Sequence, residues 1–176
     1  TMKNIMAEAN VEDEFETEFG VYDLPEFLRA LDSFTQPVLN FNGSANLKIQ
    51  DEKSSLSARY AFAEKSTLRY PSKSITMPDK TVSFSYTNLS LPDIAFKGEG
   101  GKIKLVALDK KNSNSNESSI VVGETDIEFT AYIKAENMKI IPGDYDVALS
   151  KAKIAHFINK KVKVQYWIAL EADSTF

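Results

Sequence analysis

The sequence predicts a sheet-dominated α+β protein built from two similar domains with short helices. Three observations carry this reading. Short runs of alternating apolar and polar residues recur along the 176-residue chain, about ten in all, well above the usual share of strand. Helical spacing is confined to two short stretches. Both sit in matching surroundings, an alternating strand, a short helix, a loop and a new strand, over 15–31 and again over 125–141. Repetition of one supersecondary unit sets an architecture.

In the first copy Phe15, Thr17, Phe19 and Val21 alternate with Glu16, Glu18, Gly20 and Tyr22, the period of a half-buried strand. Asp23 then offers a carboxylate to backbone N–H groups that have no intrahelical partner. Pro25 suits a first helical turn, where its missing N–H is not needed. Leu24, Phe27, Leu28 and Leu31 form one apolar stripe. So short a helix is marginal alone, and the stripe is expected to lie on a sheet. In the second copy, matching Tyr22 to Ile133 puts Leu24 on Ala135 and Phe27 on Met138, before Pro142 and Gly143 end the unit.

The remaining elements follow in order. Residues 5–11 make a first strand, and 38–41, 45–50 and 56–62 make three more, with Asn42-Gly43 the strongest hairpin turn. Pattern lapses toward 67–80, where Pro71 and Pro78 mark an extended connector. The first domain is therefore expected over 1–66 and the second over 81–176. The second opens with a strand at 81–86. Strands at 93–96 and 102–108 flank Gly98-Glu99-Gly100-Gly101, a hairpin turn. Residues 110–119 form a polar loop, and strands at 145–149, 154–158 and 162–170 close the chain.

Composition narrows the function classes. An apolar fraction of 43% is ordinary for a folded protein. No run of 18 apolar residues suggests a membrane span, and residues 1–10 do not read as a signal peptide. Cysteine is absent, which removes disulfides and thiolate sites and fits a reducing compartment. The net charge is −4, with 21 basic against 25 acidic residues, whereas a tight phosphate binder is normally basic. Acids gather at Glu8, Glu12, Asp13, Glu14, Glu16 and Glu18, and lysines at Lys151, Lys153, Lys160, Lys161 and Lys163. Solvated strand faces explain each run, and a weakly held nucleic-acid face remains open.

Catalytic constellations are thin. His156 is the only histidine, so no multi-histidine metal site and no choice of base exists. The glycine-rich turn precedes no helix and cannot cradle a nucleotide phosphate in the usual way. Glu16/Glu18 and Asp144/Asp146 sit at strand spacing; they would suit glycoside hydrolysis, but solvated faces explain them more simply. No enzyme, cofactor or metal site is expected.

Four stretches resemble one family. They are Tyr166-Trp-Ile-Ala-Leu170-Glu-Ala-Asp-Ser-Thr-Phe176, Met6-Ala-Glu-Ala-Asn-Val11, Val21-Tyr-Asp-Leu24 with Phe27-Leu28, and Glu136-Asn-Met-Lys139 with Pro142-Gly-Asp-Tyr145. In order and spacing they resemble the sliding clamps of large tailed bacteriophages, DNA polymerase processivity factors related in fold to the proliferating cell nuclear antigen family. The likeness is good at both ends and poor in the middle. It implies two clamp domains per subunit, and three subunits closing head to tail as a homotrimer around duplex DNA. Helices would line the hole and sheet would form the outside. Two departures stand out: the family has a strand and helix ahead of the region matching Thr1, and another helix where only Asn88 stands here.

The resemblance also implies partners and sites. Arg29, Lys134 and Lys139 would face DNA phosphates, while Lys160, Lys161 and Lys163 would be a solvated hairpin. Subunits would join by edge strands, with 103–108 and 57–61 as candidates. The replicative DNA polymerase and the clamp loader would bind by apolar peptides near the connector and tail, at Tyr70, Met77 and Phe176. The setting implied is the cytoplasm of the infected bacterial host. A β-rich virion structural or binding protein is the alternative, and an acid-pair hydrolase ranks last.

Overall fold

A computed structural model describes residues 4–41, 45–71, 73–89, 94–107 and 118–176. In chain order its elements are β1 (Ile5–Ala9), α1 (Leu24–Asp32), β2 (Pro37–Asn40), β3 (Asn46–Asp51), β4 (Ser57–Ala61), β5 (Val82–Leu89) and β6 (Ile94–Glu99). There follow β7 (Lys102–Ala107), β8 (Ser118–Glu124), β9 (Phe129–Ile133), a 3-10 turn (Ala135–Asn137), β10 (Gly143–Ser150), β11 (Ile154–Asn159) and β12 (Val164–Ala169). They divide into two units, Glu12–Ser74 and Thr1–Val11 with Ile75–Phe176.

In the smaller unit α1 starts as its residues dictate. Asp23 accepts from the Glu26 N–H at 2.9 Å, and Pro25 stands in the first turn. Phe27 turns inward, its ring 4.9 Å from that of Tyr60, above the fully buried Leu47 and Ile49 of β3. The sheet runs β2-β3-β4, antiparallel throughout. The buried stripe is narrower than expected, because Leu24 and Leu28 stay exposed. The expected strand over 15–21 does not form. Phe15 and Phe19 instead pack as rings against Phe41, and Phe19 also meets Phe62. An alternating pattern asks for one buried face, and a cluster of aromatic rings meets that demand without a ladder. The Asn42-Gly43 turn lies outside the described residues.

Asp51 ties this unit together from the inward side of β3. Its carboxylate accepts from the backbone N–H groups of Thr35 and Lys53, each at 2.8 Å. These bonds, that from Thr35 foremost, hold its pKa below the usual carboxylate value. One side chain thus fastens the entry to β2 and the β3–β4 turn.

The larger unit has two sheets, β1-β12-β11-β10-β5 and β8-β7-β6-β9. Phe96, Ile103 and Leu105 from one meet Tyr145, Val147, Leu149, Phe157 and Ile168 from the other in one core. Burying each such side chain contributes about 1.5–3 kcal/mol. Tyr145 is fully buried and donates its hydroxyl to the Ile141 carbonyl at 2.6 Å, and burial raises its pKa. The β6–β7 hairpin turns on Gly100 and Gly101, both at positive φ (58° and 77°), a pairing only glycine adopts freely.

Two expectations need correction here. The second strand–helix unit keeps its strand, β9, but its helix shrinks to one 3-10 turn. Lys134 precedes that turn and supplies no side-chain cap, while Pro142 closes the space for more turns. The first strand, expected within a domain over 1–66, pairs antiparallel with β12, Ile5 opposite Ile168 and Ala9 opposite Val164. Residues up to Val11 therefore group with the C-terminal sequence, a long-range pairing that local pattern does not reveal.

Because the Asp51 pKa is lowered in the folded state, its stabilisation is complete above the unfolded value of about 3.9 and fades as pH falls through the lower folded value. Acid titration followed by circular dichroism should show the Asp51→Asn variant less stable near neutrality. That variant should also lose less stability than the parent below about pH 4.

Candidate functional site

The cations expected to meet phosphates fall on two separate units. Arg29 is exposed in the last turn of α1 and makes no ion pair among the described residues. Lys134 and Lys139, on the larger unit, flank the 3-10 turn and are exposed. Lys134 lies 3.7 Å from the Glu171 carboxylate, a loose pair; Lys139 has none among the described residues. The lysines of the β11–β12 hairpin differ. Lys160 reaches Asp146 at 3.1 Å and Lys161 reaches Asp144 at 3.0 Å. Asn159 holds the loop by accepting from the N–H groups of Lys161 and Val162. The Ser85 hydroxyl and then Lys160 lower the Asp146 pKa. Pairing offsets the Lys160 and Lys161 charges locally.

The apolar set also divides. Tyr70 is 55% exposed, in the smaller unit. Met77 is half-buried, in the larger. Phe176 is not a free anchor: its ring stacks on Phe129, centroids 5.8 Å apart and planes 7° from parallel, with the Lys153 ammonium 5.6 Å away. The segment before it lies along β9. Thr175 and Thr130 exchange both backbone hydrogen bonds, at 2.8 and 3.0 Å. The Tyr132 N–H donates to the Ser174 hydroxyl, and Lys153 donates to the Ser174 carbonyl. Lys153 is the one described non-glycine residue at positive φ, 62°. Gly98 makes room for the stack, since a Cβ there would stand 2.4 Å from the Phe129 ring and the Ile127 carbonyl. The sequence marked Gly98 only as a turn residue.

Edge strands required one more correction. β7, holding 103–107, lies between β6 and β8, so it is interior. β4 does end its sheet, as expected, and in the larger unit β8 ends the four-stranded sheet while β1 and β5 end the five-stranded one. Ile120 and Val121 on β8 are 52% and 54% exposed. Sequence reading passed over β8 because a polar loop precedes it; the β-branched run Ile120-Val121-Val122 was the available signal.

His156 is a packed residue, 8% exposed, stacked 4.7 Å over Trp167, with Nε2 2.9 Å from the Gln165 carbonyl. Among the described residues no three His, Cys, Asp or Glu side chains converge to hold a metal. No helix among them is long and apolar enough to cross a membrane.

Open strand edges, exposed cations and a sheet-on-sheet core define a binding scaffold that acts through its surfaces. The family described as gp45 sliding clamp, C terminal, matches residues 80–172, and the chain belongs to the sliding clamp family. It is 33% identical to the sliding clamp of Vibrio phage KVP40, over 95% of this chain and 82% of that protein. It is 31% identical to that of Escherichia phage RB69 and 29% to that of Enterobacteria phage T4, each over 96% of this chain and 82% of the relative. The first alignment spans 186 positions, more than the chain's own length, so the relative carries internal positions that this chain lacks.

If Phe176 and Gly98 act through one stack, Phe176→Ala should cost about 1 kcal/mol. Gly98→Ala should cost about 1–3 kcal/mol through overpacking. Chemical denaturation of the two single variants and the double variant should show sub-additive losses.

Proposed function

We propose that this protein is a sliding clamp subunit that encircles duplex DNA and tethers the replicative DNA polymerase, with no catalysis of its own. The observation that carries the reading is the match to phage sliding clamps along 95% of the chain at 33% identity. The alternative of a virion protein has no comparable support. The setting is the cytoplasm of the infected bacterial host.

The strand edges support ring closure. β4 ends one sheet and β8 another, in different units. Head-to-tail pairing of β4 with the β8 of the next copy would satisfy both, and a closed ring leaves neither open. Three copies complete the homotrimer. DNA held by topology needs few phosphate contacts, and Arg29, Lys134 and Lys139 supply them without reading sequence. A net charge of −4 then favours sliding over sticking. The polymerase and the clamp loader dock by short apolar peptides on Tyr70, Met77 and the part of Phe176 that stays exposed. Phe176 serves there while fastened to Phe129, and Met77 adapts through its thioether.

Light scattering after size exclusion should give a trimer mass, and Ile120→Lys with Val121→Lys should shift it to monomer. A monomer for the unaltered chain at all concentrations would refute the ring. Reversing Arg29, Lys134 and Lys139 to Glu should abolish DNA-dependent polymerase stimulation with folding and trimer mass unchanged.

A further inference from the structure

The sheet of the smaller unit has a second face, turned away from Phe27, Leu47 and Ile49. The strand registers build it row by row. Asn40 of β2 stands opposite Lys48 of β3, which stands opposite Arg59 of β4. In the next row Gln50 stands opposite Ser57, and Asn46 lies beyond Lys48 on the same side. The other outward positions of the three strands are aliphatic. Not one is acidic, in a chain whose acids outnumber its bases by 25 to 21.

Lys48 and Arg59 are both exposed, and neither makes an ion pair among the described residues. Two like charges directly across an antiparallel pair are destabilising. Elsewhere in the chain Lys65, Lys104, Lys160 and Lys161 each have a carboxylate within 3.1 Å. Here two cations are set side by side and left uncompensated, flanked by amides and a hydroxyl that can donate. The Asn40 amide donates to the Gln50 side-chain carbonyl at 2.9 Å, which orients the row. A cost of this kind, with donors converging on it, suits an anionic ligand supplied from outside.

We propose that this face binds a carboxylate-rich, extended segment of a partner protein. Arg59 takes one carboxylate in a two-pronged hydrogen bond, Lys48 the next as a point charge, and Asn40 and Asn46 donate at the flanks. Nucleic acid is disfavoured because the face holds no aromatic side chain on which a base could stack. Two cations on a flat sheet also offer few phosphate contacts. The site does not depend on ring formation or on the peptide anchors described above.

The test is titration of the isotope-labelled chain with deca-glutamate, read by amide chemical shifts. Shifts should centre on Asn40, Lys48 and Arg59 and fade as salt is raised. Lys48→Glu with Arg59→Glu should weaken binding roughly tenfold or more. The charge-matched Lys80→Glu with Lys102→Glu should leave it within about twofold of the parent. The single change Lys48→Glu gives a second readout, since it sets a carboxylate opposite Arg59. Its Tm should rise while peptide binding falls, a pair of signs that misfolding cannot produce. No shift at these residues would overturn the proposal. So would an oligonucleotide of equal charge binding there in preference to the peptide. Shifts that track protein concentration alone would assign the face to a second copy and equally overturn it.

Discussion

Unpaired backbone groups along strand edges are the constraint on which the rest of this structure depends. An edge strand presents N–H and C=O groups that water satisfies only until another chain arrives. The larger unit lays its own terminal sequence along two of its strands. β1 covers β12 over five residue pairs, and Thr175 covers β9 with Lys153 and Phe176 holding it in place. Like β1 and β5, β8 ends its sheet among the described residues, and it exposes branched aliphatic side chains.

Electrostatics follows a similar division between spent and unspent charge. Lys160 and Lys161 meet Asp146 and Asp144 across the β10–β11 side of their hairpin. These exposed pairs contribute little stability, about 0–1 kcal/mol each. They do remove two cations from the pool that could hold phosphate. Arg29 and Lys139 keep theirs. If the proposed ring holds DNA by topology, a few unspent cations on a net-acidic chain are physically coherent with it.

Most strands were legible in the sequence, because alternation over a half-buried sheet is a local signal. β10, β11 and β12 appear where 145–149, 154–158 and 162–170 alternate. The α1 cap was legible for the same reason: Asp23 and Pro25 act within one turn. What was not legible required partners far along the chain. The pairing of Ile5 with Ile168 spans nearly the whole sequence. Phe15 and Phe19 alternate like a strand, yet ring contacts with Phe41 take their place. Phe176 reads as a loose terminal aromatic until Gly98 and Phe129 are seen to receive it. Among the site residues, exposure of Arg29 and Tyr70 could be anticipated, whereas the interior place of β7 could not, since strand order leaves no trace in alternation.

The duplicated pattern shows how little separates a helix from a single turn. In one copy a carboxylate at the N-terminus accepts a backbone N–H, and nine helical residues follow. In the other the equivalent place belongs to Lys134, which has no acceptor to offer, and three residues follow in 3-10 geometry. The loss of such a cap costs about 1 kcal/mol, comparable to the margin by which a short helix forms at all. The cations are displayed differently as a result. Arg29 stands on a helix fixed to the core by Phe27, so its position is set by packing. Lys134 and Lys139 stand on either side of one turn, held by the Asn137 and Met138 backbone bonds, by Met138 and Ile140 packed on the core, and by the loose Lys134–Glu171 pair. Their backbone is thus placed by one turn and its packing, whereas that of Arg29 is placed by a full helix.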